Sequence, residues 1–188
     1  MSGTSRLIAS HLGAAALFGV LAVPAATSSP AGESVPSAWQ HRTAQIHYFG
    51  VTTQFHCDGI EDQVRRILGY LGARKDMRVQ ARGCLGVPVA PRNAILVDAD
   101  FNVLAPIADA SAAGAVDAQW GALALDSVHP GFMSDGDCEL IEDMKTLITQ
   151  SFSVRGLDYR TDCVPRQAIT NSFAVKGEIL SILPPKSP

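Results

Sequence analysis

The chain has no C-x-x-C, no H-x-x-x-H, no glycine-rich phosphate loop and no G-x-S-x-G elbow. Structural zinc sites need ligands at such short spacings, phosphate cradles need the glycines, and elbow-type hydrolases need the strained serine turn. No cofactor motif is present. There is no excess of positive charge either: 15 Lys and Arg face 18 Asp and Glu, a formal net charge of −3. That balance speaks against nucleic acid or an anionic membrane as the principal partner. After residues 12–26 no apolar run of membrane length occurs, and the stretch "TSSPAGESVPS" (27–37) contains no aromatic residue.

The apolar run that does exist reads as a signal. One basic residue, Arg6, precedes "LGAAALFGVLAVPAA", and small residues follow at "AATSS". About 15 apolar residues broken by Pro24 suit an h-region, whereas a spanning helix needs roughly 20. The reading is a signal peptide over 1–26 and a flexible leader over 27–40, with a secreted or periplasmic destination. With no cysteine near the cleavage zone, lipid anchoring is not expected, and no membrane anchor is expected after cleavage. Loss of Arg6 would leave 14 basic against 18 acidic residues, a net charge of −4.

The body of the chain repeats itself. "CDGIEDQVRRI" from Cys57 and "CELIEDMKTLI" from Cys138 share cysteine, Ile60 with Ile141, Glu61–Asp62 with Glu142–Asp143, and Ile67 with Ile148. Both have helical spacing of apolar residues. Each is followed by a strand-like run ending in cysteine ("MRVQARGC", "LDYRTDC") and then by a longer one ("NAILVDADFNVLAP", "NSFAVKGEILSILP"). Each is preceded by another, "AQIHYFGVTTQF" (44–55) and "VDAQWGALAL" (116–125). The pattern predicts an α+β fold of two tandem βαββ repeats, 41–106 and 116–188, joined by the linker 107–115 and forming a two-layer sandwich. A ferredoxin-like domain with extra strands is the near alternative.

Four cysteines behind a signal point to two disulfides. In a strand–helix–strand crossover both strands run the same way, so their C-terminal ends share one sheet edge. That places Cys57 near Cys84 and Cys138 near Cys163, each pair closing a loop of roughly 25 residues and stabilising by about 3 kcal/mol. The first-turn acids have a plain role as well. Asp58, Glu61 and Asp62, and likewise Glu139, Glu142 and Asp143, face the positive ends of helix dipoles, and Asp58 with Glu61 resembles a capping box.

Histidines offer little. His56 beside Cys57 invites a Cys–His nucleophile, but disulfide bonding of the sulfur is the simpler expectation. His41, His47, His56 and His129 lack ligand spacing, so no metal is expected. The alternation around "DADFN" sets Asp98, Asp100 and Asn102 on one face of a strand, opposite Arg78, Gln80 and Arg82 on its neighbour, which reads as a solvated face of cross-strand charge pairs. Where the repeats disagree is more telling: "DSVHPGFMSDGD" (126–137) has no counterpart in the first half. Binding residues concentrate on loops held by a rigid scaffold. His129, Phe132, Met133 and Asp135 are therefore the candidate binding residues, for a protein or small ligand. The preferred function is a non-enzymatic binding module using that loop or a sheet face. The alternatives are a metal-dependent or acid/base enzyme using His56, His129 and the first-turn carboxylates, and a thiol redox protein.

Overall fold

A computed structural model describes residues 34–84 and 94–182; the expected signal, the start of the leader, residues 85–93 and the last residues, 183–188, lie outside them. The elements are β1 (Val35–Tyr48), α1 (Cys57–Tyr70), β2 (Arg78–Arg82), β3 (Ile95–Pro106), β4 (Val116–Asp126), α2 (Cys138–Asp143), α3 (Lys145–Ser151), β5 (Val154–Thr161) and β6 (Phe173–Ile182). This is a mixed α/β fold. Its six strands form one antiparallel sheet in the order β2-β3-β1-β4-β6-β5.

The middle of that sheet is a short seam. β1 meets β3 from Ser37 to Tyr48, but it meets β4 only where Val35, Pro36 and Ser37 face Ala118, Asp117 and Val116. Beyond those residues the two antiparallel strands run away from the seam in opposite directions, so two three-stranded ribbons are joined at their starts. β1 and β2 are both antiparallel to β3 and therefore run the same way, with α1 as the crossover. The sheet ends consequently meet as expected. Cys57 is bonded to Cys84 and Cys138 to Cys163, each with Cα atoms 5.6 Å apart, a normal span for a disulfide.

Three expectations need correction. The leader was expected to run to residue 40, yet β1 starts at Val35. Its Ser- and Pro-rich composition reads as loop, but pairing with β4, a 2.9 Å bond from the Ile107 N–H to the Pro36 carbonyl, and Ser34 Oγ on Asp117 at 2.9 Å order it; tertiary pairing overrides local preference. The strand expected to reach Phe55 ends at Tyr48, leaving 49–56 as a loop. The second helix, expected to be continuous like α1, breaks at Met144. The cause is a side chain in the ladder: the Tyr159 hydroxyl donates to the Ile141 carbonyl, the group that the Lys145 N–H of an unbroken helix would use.

One buried cluster spans both ribbons. Ile46, Val97 and Phe101 from the first and Leu125, Phe173 and Val175 from the second pack with Ile60, Val64, Ile67 and Leu68 of α1 and with Leu140, Ile141 and Ile148. Alternation puts Ile95, Val97, Ala99, Phe101 and Val103 of β3 on this side and Asp98, Asp100 and Asn102 on the other. A second, small cluster closes over the seam from that other side: Leu104, Ala118 and Leu180, with Trp39 and Trp120 packed against them. Each tryptophan carries a guanidinium, Arg74 at 5.7 Å from the Trp39 ring centre and Arg155 at 4.5 Å from that of Trp120.

Candidate functional site

Three loops (49–56, 126–137 and 162–172) meet at the start of α2, and one carboxylate organises them. Glu139 Oε2 accepts the Val51 and Thr52 N–H groups, both at 2.8 Å, while Oε1 accepts the Thr52 hydroxyl at 2.9 Å. The Arg166 N–H donates to the same Thr52 oxygen at 3.0 Å, bringing in the third loop. Thr53 Oγ1 donates to the Gly136 carbonyl at 2.8 Å. Gly136 must be glycine for this approach, since a Cβ there would lie 2.5 Å from Thr53 Oγ1. Thr170 Oγ1 donates to Asp135 Oδ2 at 3.2 Å.

Two acids of this end, Asp143 and Asp137, hold their protons more tightly than free carboxylates. Burial pushes Asp143 up to about 6, the charges of Glu142 and Glu139 push it the same way, and a bond from the Phe49 backbone N–H offsets part of this. Burial also raises Asp137, which is only 3% exposed. It is held by the Ser134 N–H and hydroxyl, each at 2.8 Å, in a reciprocal capping box. The expected box of Asp58 and Glu61 does not form. Glu61 Oε1 instead accepts the Ala81 N–H at 2.8 Å and ties α1 to the edge strand β2.

The four candidate residues of the 126–137 loop sit in different surroundings. His129 is at the exposed tip, where Asp126 Oδ1 accepts the N–H groups of Val128 and His129 at 2.8 and 2.7 Å and lies 3.3 Å from His129 Nδ1. Phe132 is half-buried, edge-on to Tyr70 at 6.4 Å between ring centres and beneath the Arg66 guanidinium at 5.5 Å. Met133 is 6% exposed and belongs to the core. Asp135 is half-buried; besides its bond to Thr170, its Oδ1 is buried without a hydrogen-bonding partner.

The structure adds a residue that sequence reasoning missed. Gln63 is 3% exposed on the apolar stripe of α1, and its Nε2 reaches the Phe132 carbonyl at 3.4 Å and Met133 Sδ at 3.6 Å. A polar residue inside the helical stripe 60, 63, 64, 67 was the available signal. His56 is exposed at the N-cap of α1 and makes no side-chain capping bond. All four sulfurs are in disulfides, so the Cys–His pair cannot act as a nucleophile in this state. Among the described residues, no three His, Cys, Asp or Glu side chains are grouped to hold a metal ion. On the sheet face turned away from the helices one of the expected cross-strand pairs forms, Arg82 with Asp98, while Asp100 is taken by His41 of β1 at 2.9 Å rather than by Arg78.

Two disulfides fit an oxidising environment, and no helix among the described residues is long and apolar enough to cross a membrane. No protein-family model matches the chain, and no curated protein or solved structure matches it.

Proposed function

We propose that this protein is an exported, non-enzymatic binding module, built by internal duplication of a βαββ unit and stapled once in each half. The observation that carries the reading is the junction of three loops around Glu139, braced by a disulfide at Cys138 and packed on a shared core. Rigid support with side chains presented at one end is what a recognition loop requires. Within 126–137, Val128 and His129 form the presenting tip, while Phe132, Met133 and Asp135 set its position from beneath.

Duplication draws further support from the tryptophans. Trp39 and Trp120 lie 81 positions apart, the spacing of Cys57 and Cys138. Both pack in the same small cluster under an arginine, and those arginines, Arg74 and Arg155, are also 81 apart.

The test is quantitative cross-linking on the protein in its own host, with a photoreactive residue at position 128. A partner that is captured there and lost in a His129→Ala chain supports the reading. No captured partner, or capture unchanged by that substitution and by deletion of the tip, overturns it. Intact-mass analysis of the exported fraction checks the other half, since a chain retaining residues 1–26 contradicts export by cleavage.

An acid/base enzyme has one observation in its favour: Asp143 titrates near 6 beside two other carboxylates, the range a general acid needs. The Phe49 backbone N–H beside it favours the charged form and fits a holding role instead.

A further inference from the structure

The outward face of β2-β3-β1 is a ruled grid of polar side chains. Register aligns Arg78, Asp100 and Thr43 in one row across the three strands, and Gln80, Asp98 and Gln45 in the next. Rows on one face repeat about every 7 Å along the strands, and neighbours within a row sit about 5 Å apart. These six side chains line a depression of about 490 Å³, together with Ala44 and Ala99. That volume lies in the range of small-ligand sites, although such sites are mostly apolar and this one is not.

Its formal charges balance. Asp98 accepts Gln45 Nε2 at 2.8 Å and pairs with Arg82, and these contacts hold its carboxyl below the usual range, so it stays ionised. Asp100 pairs with His41 at 2.9 Å. Two arginines, Arg78 and Arg82, match two aspartates, so a ligand with net charge gains no Coulombic advantage here. What remains is hydrogen-bonding capacity: the Thr43 hydroxyl, the Gln80 amide and the Arg78 guanidinium have no side-chain partner among the described residues, and the aspartates keep free lone pairs.

We propose that this face binds a neutral, polyhydroxylated ligand, a glycan segment lying across the strands. A sugar hydroxyl donates and accepts at once. A vicinal diol can give one proton to Asp98 or Asp100 while the guanidinium of Arg78 or the amide of Gln80 donates to its neighbour. An extended peptide matches the face poorly, because the strand backbones lie below these side chains and offer it no ladder. The site shares no residue with the 126–137 loop, so either reading can fail without the other.

The experiment is an NMR titration of the isotope-labelled, disulfide-intact protein with cellohexaose and chitohexaose, with the anionic hexamer of galacturonic acid as comparator. The side-chain amides of Gln45 and Gln80 and the Arg78 Nε–H report directly. Millimolar-range binding of a neutral hexamer, with shifts confined to these groups and β1–β3, is expected. The exposed-surface double variant Arg78→Ala/Gln80→Ala should weaken it about tenfold or more while leaving the remaining spectrum in place. Tighter binding of the anionic hexamer, shifts centred on 126–137, or no shift with any of the three overturns the proposal.

Discussion

Asp143 shows how much one side chain can report about its surroundings. Its folded-state pKa, about 6, stands above its ordinary value of 3.8, so the folded chain holds the proton more tightly than the unfolded one. Charging it therefore opposes folding: the carboxyl costs stability above about pH 6, and the cost fades as pH falls from 6 towards 4. Asp143→Asn should raise the melting temperature at about pH 8, by the equivalent of about 1 kcal/mol once solvent screening of a half-buried group is allowed for. At about pH 4 the variant and the parent should melt together. A less stable variant at the higher pH would mean that burial and the charges of Glu142 and Glu139 do not penalise the ionised carboxyl. Glu139 has a structural role: its three accepted bonds hold loop 49–56. Glu139→Ala strips the Val51 and Thr52 amides of their acceptor and should cost about 1–3 kcal/mol in denaturant unfolding, whereas Glu139→Gln should cost less.

The strands at the two edges of the sheet are each blunted against pairing with another chain. β2 has only five residues and carries arginine at both ends. β5 is broken by a register shift between Arg155 and Asp158, with Gly156 in the left-handed region at φ 58°. Gly177 on β6 lies against that bulge: a Cβ there would come 3.0 Å from the Arg155 carbonyl, 3.2 Å from that of Gly156 and 3.2 Å from Leu157 Cα, all of them backbone. Gly177→Ala should therefore destabilise by about 1–3 kcal/mol and straighten or detach β5; hydrogen exchange of the β5 amides is the direct check, and unchanged protection would show that the bulge does not need the glycine. The disulfides act at this scale too. They close separations of 27 and 25 residues, and removing either pair as Cys→Ala should cost about 3 kcal/mol. Cys57–Cys84 is the more exposed staple and should be reduced first in a graded reductant titration, since Cys138 is only 5% exposed.

Across the molecule, the two ribbons are bound by more than their seam. Phe101 of β3 stacks on Phe152 after α3 at 5.7 Å, Ser153 Oγ donates to the Leu104 carbonyl at 2.9 Å, and the Tyr70 hydroxyl of α1 donates to the Ala124 carbonyl of β4 at 2.7 Å. With one core cluster drawn from both halves, neither half can bury its apolar face alone. A protease site placed in the linker around Gly114, where a side chain meets nothing within 4 Å, should be cut without loss of structure. The pieces should stay together on a native gel and separate only in denaturant; separation under native conditions would mean the ribbons are independent.

Much of this was legible in the chain itself. The doubled cysteine and the period-2 and helical patterns set the order of strands and helices and both disulfide partners, though not every boundary, because a crossover brings strand ends to one edge whatever the details. The polar row on β3 was readable for the same local reason, since alternation alone assigns faces. Other features had no local signal. Pairing with β4 at Val35 to Ser37 and with β3 from Ser37 onward drew Val35 to Gln40 into a strand despite their loop-like composition, and Tyr159 split the second helix from fifteen positions beyond the break. The acids at 139, 142 and 143 looked like ordinary first-turn caps; only the fold carried loop 49–56 across to them and turned Glu139 into a clasp and Asp143 into a carboxyl that titrates near 6. Local pattern specifies what a residue can pair with, and burial and long-range contact decide which of those pairings is made.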